Sequence, residues 1–338
     1  MKKLSLWVTV WMTLLCLLYP QAAMDGVRQG LLLWGGRVLP ALLPCFICLN
    51  LLLSLGLLQG TSPLLPWVEG LFALTAGAPT GARLLNARYG NSPAAASLCP
   101  ALNTVSPAFL LGVVSLGQYG IKSCFYPLAL GQYAAVTVCL LLTKKPAASC
   151  PPVHTNPLPF GEAFSKSVLT AMESMLGVGG CLLLCSAFGQ VLTEMLSLTG
   201  LPKALLAGFL EVTGGCAALK DSGLSLRLQL SLCALFTGFG GLCIALQSLS
   251  FVSCKPWLYL IKKLAMGAFS GLVCYLTFPL FVPQTLTAVF SAGAPAKACS
   301  QLLTRSAAMG SMGLAMGISL LFTLLCACCL KKRCTERT

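Results

Sequence analysis

Long runs of Leu, Val, Ala and Phe recur along this chain, and short clusters of Gly, Pro and charged residues separate them. Runs of this length without a period-two alternation predict α-helices that cross a membrane rather than strands of a β-barrel. A hydrocarbon core of roughly 30 Å takes about 20 apolar residues per helix. The first run, 4–19, follows Lys2 and Lys3. Gln21-Ala22-Ala23 loosely resembles a cleavage site, yet the Lys pair and the apolar length also suit an anchor, and an uncleaved first helix is expected. A second run, 31–58, is punctuated by Gly35, Gly36, Pro40 and Pro44 and so predicts a kinked helix. Arg37 inside it needs a partner or a water-filled cavity. Further helices are predicted over 121–143, 168–192, 257–282 and 307–330, which makes about six crossings.

Two stretches do not fit the pattern of uniform apolar helices. In 71–117, an apolar run enters Gly77-Ala78-Pro79-Thr80-Gly81 with Arg83 just behind it. After a polar tip the chain re-enters through Asn103-Thr104-Val105-Ser106-Pro107. In 204–252, Glu211-Val212-Thr213-Gly214-Gly215 ends an apolar run, and re-entry reaches Thr237-Gly238-Phe239-Gly240-Gly241, with Gln247 beyond. Each stretch reads as an interrupted, re-entrant or broken helical hairpin, and their matching order predicts an internal two-fold repeat.

A broken helix leaves N–H and C=O groups unpaired at membrane depth, where lipid cannot satisfy them but a bound solute can. Half-helix N-termini favour anions. Gly and Ala also permit close helix packing with no site at all. The polar residues at the breaks point to a site, with candidates Gly77, Pro79, Thr80, Gly81, Arg83, Asn103, Ser106, Pro107, Glu211, Thr213, Gly214, Gly238, Gly240, Gly241 and Gln247. Glu211 is expected either to pair with Arg83 or Arg37 or to carry a coupling proton, and the sequence leaves both open. Arg88, Lys220, Asp221 and Arg227 read as tip or topology charges, and Glu173 as structural.

Composition agrees: 57% of the 338 residues are hydrophobic and 9% charged, and the mean hydropathy is +0.86, too apolar for one water-soluble core. The net charge of +14 lies in short clusters between apolar runs, which suits topology signals and not a nucleic-acid surface. With the N-terminus inside, Lys255, Lys262, Lys263 and Lys331-Lys332-Arg333 fall inside, whereas Lys144 and Lys145 disagree; both termini inside is the expectation. The chain has 19 Cys, most within apolar runs, and a single His154 in a Pro-rich loop. No disulfide framework, metal site or cofactor is expected. No HExxH or GxSxG occurs, and no enzymatic activity is expected. The organisation expected is an N-terminal anchor over 1–30, a first repeat over 31–143, a linker over 144–166, a second repeat over 167–282, and a final helix with a basic tail over 283–338.

The motifs Gly77-Ala78-Pro79-Thr80-Gly81-Ala82-Arg83, Asn103-Thr104-Val105-Ser106-Pro107 with Phe109 and Gly112, Glu211-Val212-Thr213-Gly214, and Gly238-Phe239-Gly240-Gly241 with Gln247 occur in this order. In that order they resemble the YlbJ/SpoVV family of sporulation integral membrane proteins, over most of 31–282. The resemblance implies a nucleoside-recognition Gate domain and movement of dipicolinate, a small planar dianion, across the outer forespore membrane during endospore formation. It implies anion pairing by Arg83 and polar contacts from Thr80, Asn103, Ser106, Thr213 and Gln247.

The sequence therefore predicts an all-α polytopic membrane protein with about six transmembrane helices and two interrupted hairpins, acting as a transporter by alternating access. The bacterial cell membrane or the outer forespore membrane is its expected place, with membrane lipid and a small anionic solute as partners and homo-oligomerisation left open. A nucleoside or other organic-solute carrier and a non-transporting protein of the spore envelope remain as alternatives.

Overall fold

In a computed structural model, residues 2–56, 65–143 and 158–282 are described. The centre of the predicted linker, the predicted helix 307–330 and the terminal basic cluster lie outside the described residues. What is described is all helix and turn, with no strand among the described residues. The chain runs through α1 (Lys2–Leu18), α2 (Pro20–Leu33), α3 (Leu39–Ser54), α4 (Leu65–Ala76), α5 (Thr80–Tyr89), α6 (Pro93–Leu102) and α7 (Phe125–Leu142). It continues with α8 (Phe160–Met195), α9 (Gly200–Leu210), α10 (Val212–Ala218), α11 (Leu226–Phe239), α12 (Gly241–Phe251) and α13 (Pro256–Phe281).

Among the described residues, Lys122–Leu142, Phe160–Met195, Leu226–Phe251 and Pro256–Phe281 are each long and apolar enough to cross a membrane. The predicted helices 121–143, 168–192 and 257–282 fall on three of these. Leu226–Phe251 departs from the expected hairpin arm: α11 and α12, though broken at Gly240, together have the length of a full crossing. The first anchor departs too, because Thr9–Leu18 and Pro20–Gly36 reach that length only together and are bent by 104°. Pro20 accounts for the bend, since a proline disfavours helical backbone at the residue before it. Tyr19 accordingly takes φ −122° and ψ 61°.

The kink expected in 31–58 takes the form of a π-helical turn, Trp34–Val38, between α2 and α3. Pro40 offers no N–H and its ring crowds the carbonyl of Gly36, so the helix widens there. Trp34 then reaches across to α8, its Nε1–H donating to the Met175 carbonyl at 3.1 Å. The backbone of Arg37 lies within this turn, and its side chain lies outside the described residues.

Small residues set how closely the helices pack. A Cβ on Gly131 of α7 would stand 2.4 Å from the Ser270 carbonyl oxygen of α13, and one on Gly238 of α11 would stand 2.8 Å from the Gly267 Cα of α13. The interior of α7, α11 and α13 includes the buried Leu128, Tyr133, Leu230, Cys233, Phe236 and Cys274. On the other side, Gly26 of α2 lies against Ala187 of α8, where a Cβ would come within 2.6 Å of its Cα. Close backbone approach of this kind is how membrane helices gain packing energy without a hydrophobic drive between them.

Candidate functional site

The predicted interruptions are real breaks in the helices, and each has a local cause. Between α4 and α5, Gly77 adopts φ +84°, a left-handed conformation that costs a glycine little. Between α6 and the π-helical segment Phe109–Gln118, residues 103–106 are non-helical. Ser106 closes the gap as a cap, its Oγ accepting from the Phe109 amide at 3.1 Å. Between α9 and α10, Glu211 takes extended backbone, and its carboxylate accepts from Thr213 N at 2.8 Å and from Gly214 N at 2.6 Å. Between α11 and α12, Gly240 and Gly241 have φ +91° and +70°.

One cavity of about 70 Å³ is lined by residues of the first three breaks and by α12, just beyond the fourth. A single water needs about 10–15 Å³, so the space suits a small solute or several waters. Gly77, Ala78, Val105, Ser106 and Phe109 come from the first half of the chain. Glu211, Val212, Thr213, Cys243, Ile244 and Gln247 come from the second. Val38, Leu42, Val178 and Leu182, from the π-turn, α3 and α8, complete an apolar wall. Glu211 is the charged side chain in this lining, 7% exposed, and Ser106, Thr213 and Gln247 are its polar neighbours.

Of the residues singled out from the sequence, Gly77, Ser106, Glu211, Thr213 and Gln247 meet at the cavity. Gly214 contributes its amide to the Glu211 carboxylate. The remaining ones lie outside the lining. Gly81 lets α5 press on the end of α6, since a Cβ there would stand 2.0 Å from the Leu102 carbonyl oxygen. Gly238 is a packing glycine against α13, and Gly241 brings α12 against Leu210, whose carbonyl oxygen would lie 3.1 Å from an added Cβ. Pro79 caps α5, and Pro107 opens the turn that leads into Phe109–Gln118.

Arg83 does not line the cavity. Its Nη1 donates to Ser174 Oγ on α8, the guanidinium lies 5.9 Å from the centre of the Phe251 ring, and the Glu173 carboxylate is near enough to act on it. The pairing of Glu211 with Arg83 weighed from the sequence is therefore not what the structure contains. Arg88 has its own partner, Glu69, at 2.7 Å.

Asn103 is wholly buried behind the cavity, where its Nδ2 donates to Ser248 Oγ and to Tyr259 Oη at 3.3 Å. The Tyr259 hydroxyl also donates to Ser248 Oγ at 3.1 Å. Gln132 of α7 steadies the same break by donating to the Val105 carbonyl at 2.7 Å. Thr80 Oγ1, Asn103 Oδ1, Thr104 Oγ1 and Gln132 Oε1 are buried oxygens with no hydrogen-bond partner among the described residues.

Lys263 is the residue that the pattern of charges misplaced. Read with Lys262 as a topology signal, it is 1% exposed, and its Nζ donates to the Asn103 carbonyl at 3.1 Å. The available signal was its register on α13, where it falls four residues after Tyr259 and four before Gly267, both packed residues.

Fold and cavity define a multi-pass integral membrane protein with broken helices whose ends converge on one internal cavity. The chain is similar to the sporulation integral membrane protein YlbJ of Bacillus subtilis (strain 168), with 26% identity over 335 residues, covering 80% of this chain and 82% of that protein. This similarity supports the YlbJ resemblance read from the break motifs. No family model and no solved structure matches the chain.

Proposed function

We propose that this protein is a sporulation membrane transporter that moves a small organic solute through the cavity by alternating access, without covalent chemistry. The observation that carries the reading is that the broken stretches 77–109 and 211–247, one from each half of the chain, line one cavity together. Helix breaks at a shared site are how secondary carriers present backbone and side-chain groups to a solute. Dipicolinate is the solute that the resemblance to YlbJ implies, and the outer forespore membrane is the matching location.

Ser106, Thr213 and Gln247 supply hydroxyl and amide groups for the solute, and the apolar wall of Val38, Leu42, Val178 and Leu182 suits a planar ring. Glu211 sets the condition for an anion. A dianion beside an ionised carboxylate in a low-dielectric cavity is strongly repelled. In this proposal Glu211 therefore takes up a proton as the anion binds, and the two move together. Arg83, Asn103 and Gln132 hold the break geometry.

The test is uptake of labelled dipicolinate by vesicles that contain the purified protein, with a pH gradient imposed. Uptake above empty vesicles that rises with the gradient is expected; no uptake by verifiably folded protein defeats the substrate assignment. Among the described residues the cavity lining has a carboxylate and no cation, which favours a neutral polar ring as the second reading. Competition by unlabelled nucleosides in the same assay separates it from the first.

A further inference from the structure

We propose that Lys263 is a tethered cation filling a monovalent-cation site at the C-terminal end of α6, which would take Na⁺ if the amine were removed. Its ammonium donates to the main-chain oxygen of Asn103, the residue directly after α6 ends. The last carbonyls of a helix lack helical partners and carry the negative end of its dipole, so a cation is favoured there. In carriers built on broken helices, such ends and the unwound carbonyls beside them are where coupling Na⁺ is held.

Unpartnered oxygens lie in the same stretch of chain as the carbonyl that Lys263 reaches. Asn103 Oδ1 and Thr104 Oγ1, in the same non-helical stretch, are buried and have no hydrogen-bond partner among the described residues. One hydrogen bond uses only part of an ammonium's donor capacity. Among the described residues no carboxylate forms a salt bridge with Lys263; the titratable groups that act on it are the thiols of Cys99 and Cys139. A charge buried without a carboxylate partner is costly, so its placement calls for a compensating field, which the helix end supplies. The second half closes over the stem, for a Cβ on Gly240 would stand 3.5 Å from Lys263 Cε. The cluster lies outside the cavity lining, which makes it a separate centre from the solute site.

The experiment reads thermal stability and so does not depend on transport. Full-length wild type, Lys263→Ala and Lys263→Ser are purified in detergent and melted in NaCl, KCl and choline chloride at equal ionic strength. Wild type is expected to melt at one temperature in all three salts. Both variants are expected to melt lower in choline and to regain a few degrees in NaCl, with the midpoint rising with the logarithm of Na⁺ concentration. Lys262→Ala, next to Lys263 but less buried, is expected to behave as wild type. Variants that are equally stable, or equally unfolded, in all three salts overturn the proposal. So does specific stabilisation of wild type by Na⁺.

Discussion

The amide of Ala78 donates to the carbonyl of Thr104 at 2.7 Å, a backbone bond that ties the break after α4 to the break after α6. The approach is so close that a Cβ on Gly77 would stand 2.9 Å from the Ser106 amide nitrogen. The two breaks of the first half are thus one unit. Gly77→Ala adds a left-handed strain of about 1–2 kcal/mol and forces the unit apart. It is expected to lower the melting midpoint and to abolish solute uptake, measured on the same preparation; unchanged uptake counts against the cavity as the site.

Glu211→Gln keeps an acceptor oxygen for one of the two amides that the carboxylate caps, so the fold is expected to lose only about 1 kcal/mol. Proton-linked uptake is expected to fall to background while the protein still inserts. Membrane fractionation and vesicle uptake check both parts. A protein that only supports the spore envelope tolerates this change in a sporulation assay, which distinguishes a structural role from transport.

Gly81→Ala and Gly177→Ala are expected to behave oppositely. The first drives a Cβ into the Leu102 carbonyl, and the second, on an exposed face of α8, meets nothing within 4 Å. Overpacking costs about 1–3 kcal/mol or more, so Gly81→Ala melts lower, whereas Gly177→Ala melts at or above wild type. Thermal unfolding in detergent decides it.

Gln132→Leu removes the donor to the Val105 carbonyl while keeping similar bulk. An unsatisfied buried acceptor costs about 1–3 kcal/mol. The variant is expected to melt lower and, because Val105 lines the cavity, to bind solute more weakly; equal melting of the two proteins speaks against this anchor.

The sequence by itself determined that the chain is a bundle of apolar helices and where the Gly, Pro and Glu motifs interrupt them. Both are local properties: a run of apolar residues closes its own hydrogen bonds, and Gly77, Pro40, Glu211 and Gly240 interrupt a helix through constraints on their own backbone or caps. Tertiary structure alone decided which side of a break each residue faces. Ser106, Glu211, Thr213 and Gln247 meet in one cavity, whereas Arg83, from the same motif as Gly77, turns to Ser174 on α8. Lys262 and Lys263 are indistinguishable as neighbouring charges, yet only Lys263 falls on the face of α13 that packs against the first break. Register separates the two lysines by face, but which helix lies alongside that face depends on partners far away in sequence, which no local pattern records.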